Sequence, residues 1–246
     1  MQKSKDRNVL IFLDLETTGL QCSDKICSIG IIAVDKEESL SIYELVNEGK
    51  KIPAEASSIN HITNEMIKGR PSLKESSAWK FLSEHNHESS TLIAHNIDFD
   101  LGMLESSGFV WQGKTIDTLR VTKHLMPECE QFSLQFLRYE LKLYRDELQE
   151  AFKYGLDGGG VAHNALGDAL CVKLLYESLL QIKEHDTLVE LTQKNVLMQK
   201  FDFGKYSGRY IEEISMCDRG YLEWMLSNIS DLDEDMRYTL KRYLHG

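Results

Sequence analysis

The run Val9–Leu13 leads straight into Asp14-Leu15-Glu16, so the first strand candidate of the chain ends in two carboxylates. Side chains alternate along a strand with period two, which puts Asp14 and Glu16 on one side of whatever sheet forms. The neighbouring segments supply that sheet: NVLIFLDL over residues 8–15, ICSIGIIAV over 26–34 and the alternating SLSIYELV from Ser39 predict three consecutive strands. Pro71-Ser72 opens an amphipathic stretch in which Leu73, Ala78, Phe81 and Leu82 share a face, followed by a buried strand, TLIA, from Thr91. A helix is expected from Phe99 to a stop at Gly108, a short strand from Lys114, helical structure over 133–153 and a long helix over 165–183. Hairpins first and βα units afterwards make a mixed sheet flanked by helices, an α/β fold.

From about Thr187 the pattern changes. KFDFGKYSGRY is a glycine-punctuated aromatic run, and two short helical patterns follow at 221–226 and 233–244. A boundary near Asn195 divides the chain into residues 1–194 and 195–246, the second part a small α+β unit. Within it Phe201 and Phe203 alternate as in a small hairpin, and Tyr221, Leu222, Trp224 and Met225 read as core. At 246 residues, 42% hydrophobic and 27% charged, the chain can bury one sizeable core and carry such an appendix.

With 28 basic and 39 acidic residues the net charge is −11, which argues against binding polyanions by bulk charge. Any nucleic-acid contact must be local or assisted by metal. The early apolar run is too short for a signal-peptide core or a membrane span, so a cytoplasmic protein with no membrane association is expected. Cys22, Cys27, Cys129, Cys171 and Cys217 are odd in number and never form CxxC, which predicts free thiols rather than disulfides or a thiolate zinc site.

Two further clusters bear chemistry. In AHNIDFD, Ala94 to Asp100, an apolar strand runs into polar residues just before a helix; Asp98 suits a cap, and Asp100 suits the positive end of the helix dipole. In HNALGDAL, His163 to Leu170, Asn164 suits a cap, which leaves His163 on the loop before the helix and Asp168 in its first turn, free to reach one point in space. Singly, each cluster also reads as ordinary structure: a strand end, a helix start, an exposed loop histidine.

In order and spacing, FLDLETTG, HNIDFD and HNALGD resemble the three motifs of the DEDDh family, the RNase T and DNA polymerase III epsilon-like 3′-5′ exonucleases. INHIT around His61 and IDTL from Ile116 resemble further family segments, while Ile97 stands where the family more often has alanine. The resemblance implies an RNase H-like fold and a metal-dependent 3′-5′ exonuclease that releases nucleoside 5′-monophosphates. It implies that Asp14, Glu16, Asp100 and Asp168 hold two Mg²⁺ or Mn²⁺ ions and that His163 is the general base. Those types suit the task, since hard cations prefer carboxylate oxygen and imidazole titrates near neutrality. By the same resemblance Thr17, Thr18 and Leu20 receive the terminal nucleotide, with His61 and Asn96 nearby; Leu20 reads equally well as a packing residue.

FDFGKYSGRYIEEI with GYLEWML resembles the module that follows the nuclease domain in exodeoxyribonuclease X-like proteins. Lys200, Lys205 and Arg209 interleave there with aromatics, a pattern suited to a single strand, although packing is the first role of the rings. DNA is the favoured partner and substrate. An exoribonuclease of the RNase T or oligoribonuclease type is the alternative, as is a polymerase-associated proofreading or scaffold subunit; a homo-oligomer is compatible with the sequence.

Overall fold

The computed structural model of the chain describes residues 8–36, 38–156 and 164–245. Its sheet has the order β3-β2-β1-β4-β5, with β1 Leu10–Thr17, β2 Ile26–Val34, β3 Ser39–Leu45, β4 Thr91–Ala94 and β5 Lys114–Asp117. The first three strands pair antiparallel, and β4 and β5 add in parallel. This is the mixed sheet that the succession of hairpins and βα units predicts.

Period two divides β1 between two cores. Ile11, Leu13 and Leu15 belong to an apolar cluster with Leu73, Phe81 and Leu82, and with Ile97, Met103 and Leu104. The short helices α1 Ala54–Asn60 and α2 Asn64–Ile67 precede this layer, which α3 Ser77–Glu84 and α4 Ile97–Ser106 complete. Phe12 enters the other cluster, with Ile93, Ile116 and a row of residues from Leu166 to Leu179. α5 Thr118–Leu125, α6 Leu134–Glu140, α7 Tyr144–Lys153 and α8 Ala165–Leu180 occupy that side. Buried on almost every side, α8 is apolar all round rather than striped.

One close approach decides where α8 starts. A Cβ on Gly30 would lie 2.2 Å from the Ala165 carbonyl carbon and 2.3 Å from the Leu166 nitrogen. Gly30 pairs with Asp14 across the β1–β2 ladder, so the missing side chain lets the first turn of α8 settle beside Asp14. Asn164 caps that turn as the sequence predicts, accepting from the Leu166 and Gly167 N–H groups.

The helical stretch expected over 133–153 is broken into α6 and α7, and Lys142 in the gap takes the left-handed conformation at φ 60°. Asn96, with φ 69°, stands at the α4 N-cap position in place of Asp98, which falls inside the first turn. The polar stretch from Thr187 includes a helix, α9 His185–Thr192, which belongs with the sheet layer through buried Leu188 and the bond from the Asp117 N–H to Thr192 Oγ1.

Beyond it lie α10 Ile211–Cys217, α11 Arg219–Asn228 and α12 Glu234–His245, around a separate apolar cluster of Phe201, Ile211, Ile214, Leu222, Met225, Met236 and Leu240. The hairpin expected near Phe201 shrinks to one bridge between Lys200 and Tyr210, and residues 202–204 bend away from strand geometry, so Phe201 is buried while Phe203, which a strand would place on the same face, is exposed. Trp224, expected in the core, is half exposed and stacks on Tyr221, because Leu222 and Met225 hold the inward face of α11. Arg120 ties the two clusters together, donating at 2.8 Å and 3.0 Å to the two oxygens of buried Asp235. Among the described residues no helix is long and apolar enough to cross a membrane.

Candidate active site

Leu10, Phe12, Asp14 and Glu16 share the β1 face that looks toward α8, and the strand runs out just where α8 begins. The first turn of α8 supplies Asp168. One oxygen each from Asp14, Glu16 and Asp168 come within 4.8 Å of one another. Buried Asp100 is the fourth residue of α4 and interacts with the same group electrostatically rather than joining that close triplet. Three separate segments, predicted as separate clusters, thus meet at the end of β1. His163 lies outside the described residues.

The electrostatics of the cluster are those of like charges out of water. Burial pushes the Asp14 carboxyl well above the usual carboxylate range, and Asp168, Asp100 and Glu16 push in the same direction. Burial, followed by Asp168, raises Glu16 to about 8. Burial also raises Asp100, against hydrogen bonds from the backbone at Asp100 itself and at Leu15. Such a group of oxygen donors fits hard divalent cations, whose charge offsets the repulsion between the carboxylates. On the strand opposite, Ser28 pairs with Glu16, and among the described residues its buried hydroxyl has no hydrogen-bond partner, a further oxygen next to the cluster.

The loop after β1 is built by its own side chains. Thr17 Oγ1 donates to the Gly19 carbonyl at 2.7 Å and Thr18 Oγ1 to Asp24 Oδ1 at 2.8 Å. Asp24 also accepts from the Gln21 N–H and from Lys50 Nζ, and Lys50, Gln21 and Thr18 together hold its carboxyl down to about 2. Both threonine hydroxyls therefore shape the turn. At its tip Leu20 is 84% exposed, which removes the packing alternative for that residue. Asn60 Nδ2 donates to the Thr17 carbonyl, anchoring the end of α1 to β1 and placing exposed His61, left-handed at φ 59°, at this end of the strand.

Asn96 is exposed at the start of α4, and its N–H donates to Asp117 Oδ1. Asp117 caps α5 as well, accepting from the Leu119 and Arg120 N–H groups. His95 is held between Thr118 Oγ1 and the Phe132 carbonyl, and burial lowers it to about 4, so the ring is neutral. Asp117 and His95 fix the turn that delivers Asp100. The signal for the first was present, since an aspartate before Thr-Leu-Arg is an N-cap pattern. Nothing local marks Asp24, Asn60 or Gln135, which donates to Asp168 Oδ1 at 2.6 Å. Of the cysteines, Cys27 and Cys171 are buried, and burial first pushes each thiol up to about 12.

Residues 11–176 match the family described as Exonuclease, and residues 201–230 match the Exodeoxyribonuclease X-like C-terminal family. Exodeoxyribonuclease 10 of Escherichia coli (strain K12) is 25% identical over 241 residues, 97% of this chain and 100% of its own length. DNA polymerase III subunit epsilon of Rickettsia prowazekii (strain Madrid E) is 30% identical over 184 residues, covering 69% of this chain and 72% of its own. A solved structure of exonuclease X in complex with 5′ overhanging duplex DNA superposes with a TM-score of 0.58 at 23% identity, covering 74% of this chain and 99% of that one. That last likeness is one of fold.

Proposed function

The chain belongs to the exonuclease family, and from that premise we propose that it hydrolyses DNA from 3′ ends, taking single-stranded or frayed termini and releasing nucleoside 5′-monophosphates. One observation carries the reading: the carboxylates of Asp14, Glu16 and Asp168 converge at a strand end, with Asp100 beside them, in a chain that aligns over 97% of its length with an exodeoxyribonuclease.

Asp14, Glu16, Asp100 and Asp168 are the residues that would hold two ions, Mg²⁺ or Mn²⁺. When bound, such ions stabilise negative charge on the attacking and leaving oxygens of a phosphodiester displacement. The rest is the work of the chain's own side chains. His163 takes the proton of the attacking water, a role matched to an imidazole just ahead of the turn that carries Asp168. Leu20, projecting from the loop that Asp24 braces, packs on the terminal base. Thr17 and Thr18 receive the terminal nucleotide through the loop they shape, and His61 and Asn96 border it from α1 and α4. Residues 195–246 form a module attached to this nuclease domain of residues 1–194.

The test is incubation of the purified chain with 5′-labelled single-stranded DNA, duplex DNA and RNA, with and without Mg²⁺. Expected is a ladder shortening from the 3′ end on DNA, fastest on single strands and absent in EDTA. Faster digestion of RNA makes the chain an exoribonuclease, and undiminished turnover in EDTA removes the metal reading.

A further inference from the structure

Asp168 shares its corner of the sheet with two other carboxylates that repel it, so something must keep it turned toward them. The hydrogen bond from Gln135 in α6 does so, and the orientation of that amide is set from behind. Arg138 Nη1 donates to Gln135 Oε1 at 3.2 Å. A guanidinium only donates, so the carbonyl end of the amide must face Arg138 and the NH₂ end must face Asp168. Arg138 is itself fixed: its Nε donates at 2.9 Å to Oε2 of Glu147, a buried side chain of α7.

We infer that Gln135 is a positioning residue, a donor whose amide the Arg138–Glu147 pair orients and which holds the Asp168 carboxylate in place to bind a divalent metal ion. The inference rests on the reading of Asp168 as a metal ligand. Hydrogen bonds to ligating carboxylates orient them, and losing such a partner costs metal affinity even though the partner never touches the ion.

The experiment titrates the full chain with Mn²⁺ in the absence of nucleic acid, following the free ion by electron paramagnetic resonance. Gln135→Leu keeps the bulk of the side chain and deletes the donor. It should bind Mn²⁺ about 10- to 100-fold more weakly, with an unchanged Tm in metal-free buffer and with turnover recovered as Mn²⁺ is raised. A merely structural role would lower Tm and leave Mn²⁺ affinity where it was. Gln135→Met deletes the same donor on an unbranched chain and carries the test should the leucine variant fail to fold. Affinity within about twofold of the unaltered chain in a folded variant overturns the inference. Asp168→Ala separates the two levels. If it binds Mn²⁺ undiminished, the ligand reading itself fails; if it loses affinity while Gln135→Leu does not, the ligand reading stands and only the role of Gln135 falls.

Discussion

At the end of β1, carboxyl groups are packed against carboxyl groups, whereas in the C-terminal module Lys200, Lys205 and Arg209 are each set against an anion or a ring. Lys205 lies 3.2 Å from Asp218, Arg209 pairs with Glu213, and Lys200 sits over the Tyr210 ring at 4.8 Å. The two regions looked alike in the sequence, as charges in a suggestive pattern. The fold separates them. Burying like charges together costs free energy, and such strain collects at functional sites. Charges that complete one another are what any stable surface carries.

If the contrast is right, substitutions at the cluster should remove activity and leave the fold. Asp14→Asn should bring 3′-end hydrolysis of labelled single-stranded DNA down to background. Without metal it should melt at an equal or higher temperature, because one of the mutually repelling carboxyls is gone. His163→Ala should keep metal and strand binding and lose about 10² to 10⁴ in turnover, the range for a positioned acid-base group. A rate within a few-fold of the unaltered chain would make His163 an ordinary loop residue.

The junction between the regions should behave in the opposite way. Arg120 donates to both Asp235 oxygens and to the Thr192 and Lys194 carbonyls, and Asp235 also accepts the Val196 N–H. Arg120→Met leaves that buried carboxylate without its cation, and should lower stability in urea unfolding toward the lower end of about 3 to 5 kcal/mol, given the partial exposure of the arginine. Turnover per folded molecule should be unaltered. A large loss of turnover with intact stability would place Arg120 in the substrate path.

What could be read in the sequence was what is local. Period two put Asp14 and Glu16 on one face, and the Asn164 cap put Asp168 in a first turn; both follow from a few neighbouring residues. The break at Lys142 was hidden, since a left-handed lysine has no glycine to announce it. The helical pattern predicts Trp224 inward, as for most aromatics, yet Leu222 and Met225 already fill that face. Arg120 with Asp235, and Gln135 with Asp168, join residues 115 and 33 positions apart, and no spacing rule connects them. The Asp24 brace fails to show for a related reason: its cation, Lys50, comes from beyond β3.

The crowding also sets a pH dependence. Glu16 stands at about 8 in the folded chain against an ordinary 4.5, so folding takes up a proton between those values. Stability that is fully present below the lower value is therefore lost as pH rises toward the upper one. Metal-free protein should show a falling Tm across that interval in differential scanning calorimetry, and Glu16→Gln should flatten the fall. Bound metal needs the ionised carboxylates, so its binding at neutral pH should release protons, seen as a calorimetric heat that depends on the buffer. A metal-free Tm that rises over the same interval would mean the carboxyls are not crowded in solution.

The smallest effect belongs to the compensated cations, and it bears most directly on the comparison. A lysine or arginine that contacts a single-strand phosphate contributes about 0.7 to the slope of log affinity against log salt. Lys205 and Arg209 begin from bonded partners, so reaching a phosphate means first leaving Asp218 or Glu213, and the ring of Tyr206 holds both from below. Lys205→Ala and Arg209→Ala, measured by fluorescence anisotropy on a labelled oligonucleotide over a range of salt, should each change the slope by well under about 0.7. Asp218→Asn sharpens the test from the other side. It frees Lys205 without removing it, so a steeper slope in that variant shows that the anion, rather than distance from the strand, keeps the cation out of binding. A full loss of slope in Lys205→Ala would instead mean that strand binding pulls the pair apart, and the C-terminal cations would then belong with the active-site carboxylates as charges held in reserve for substrate.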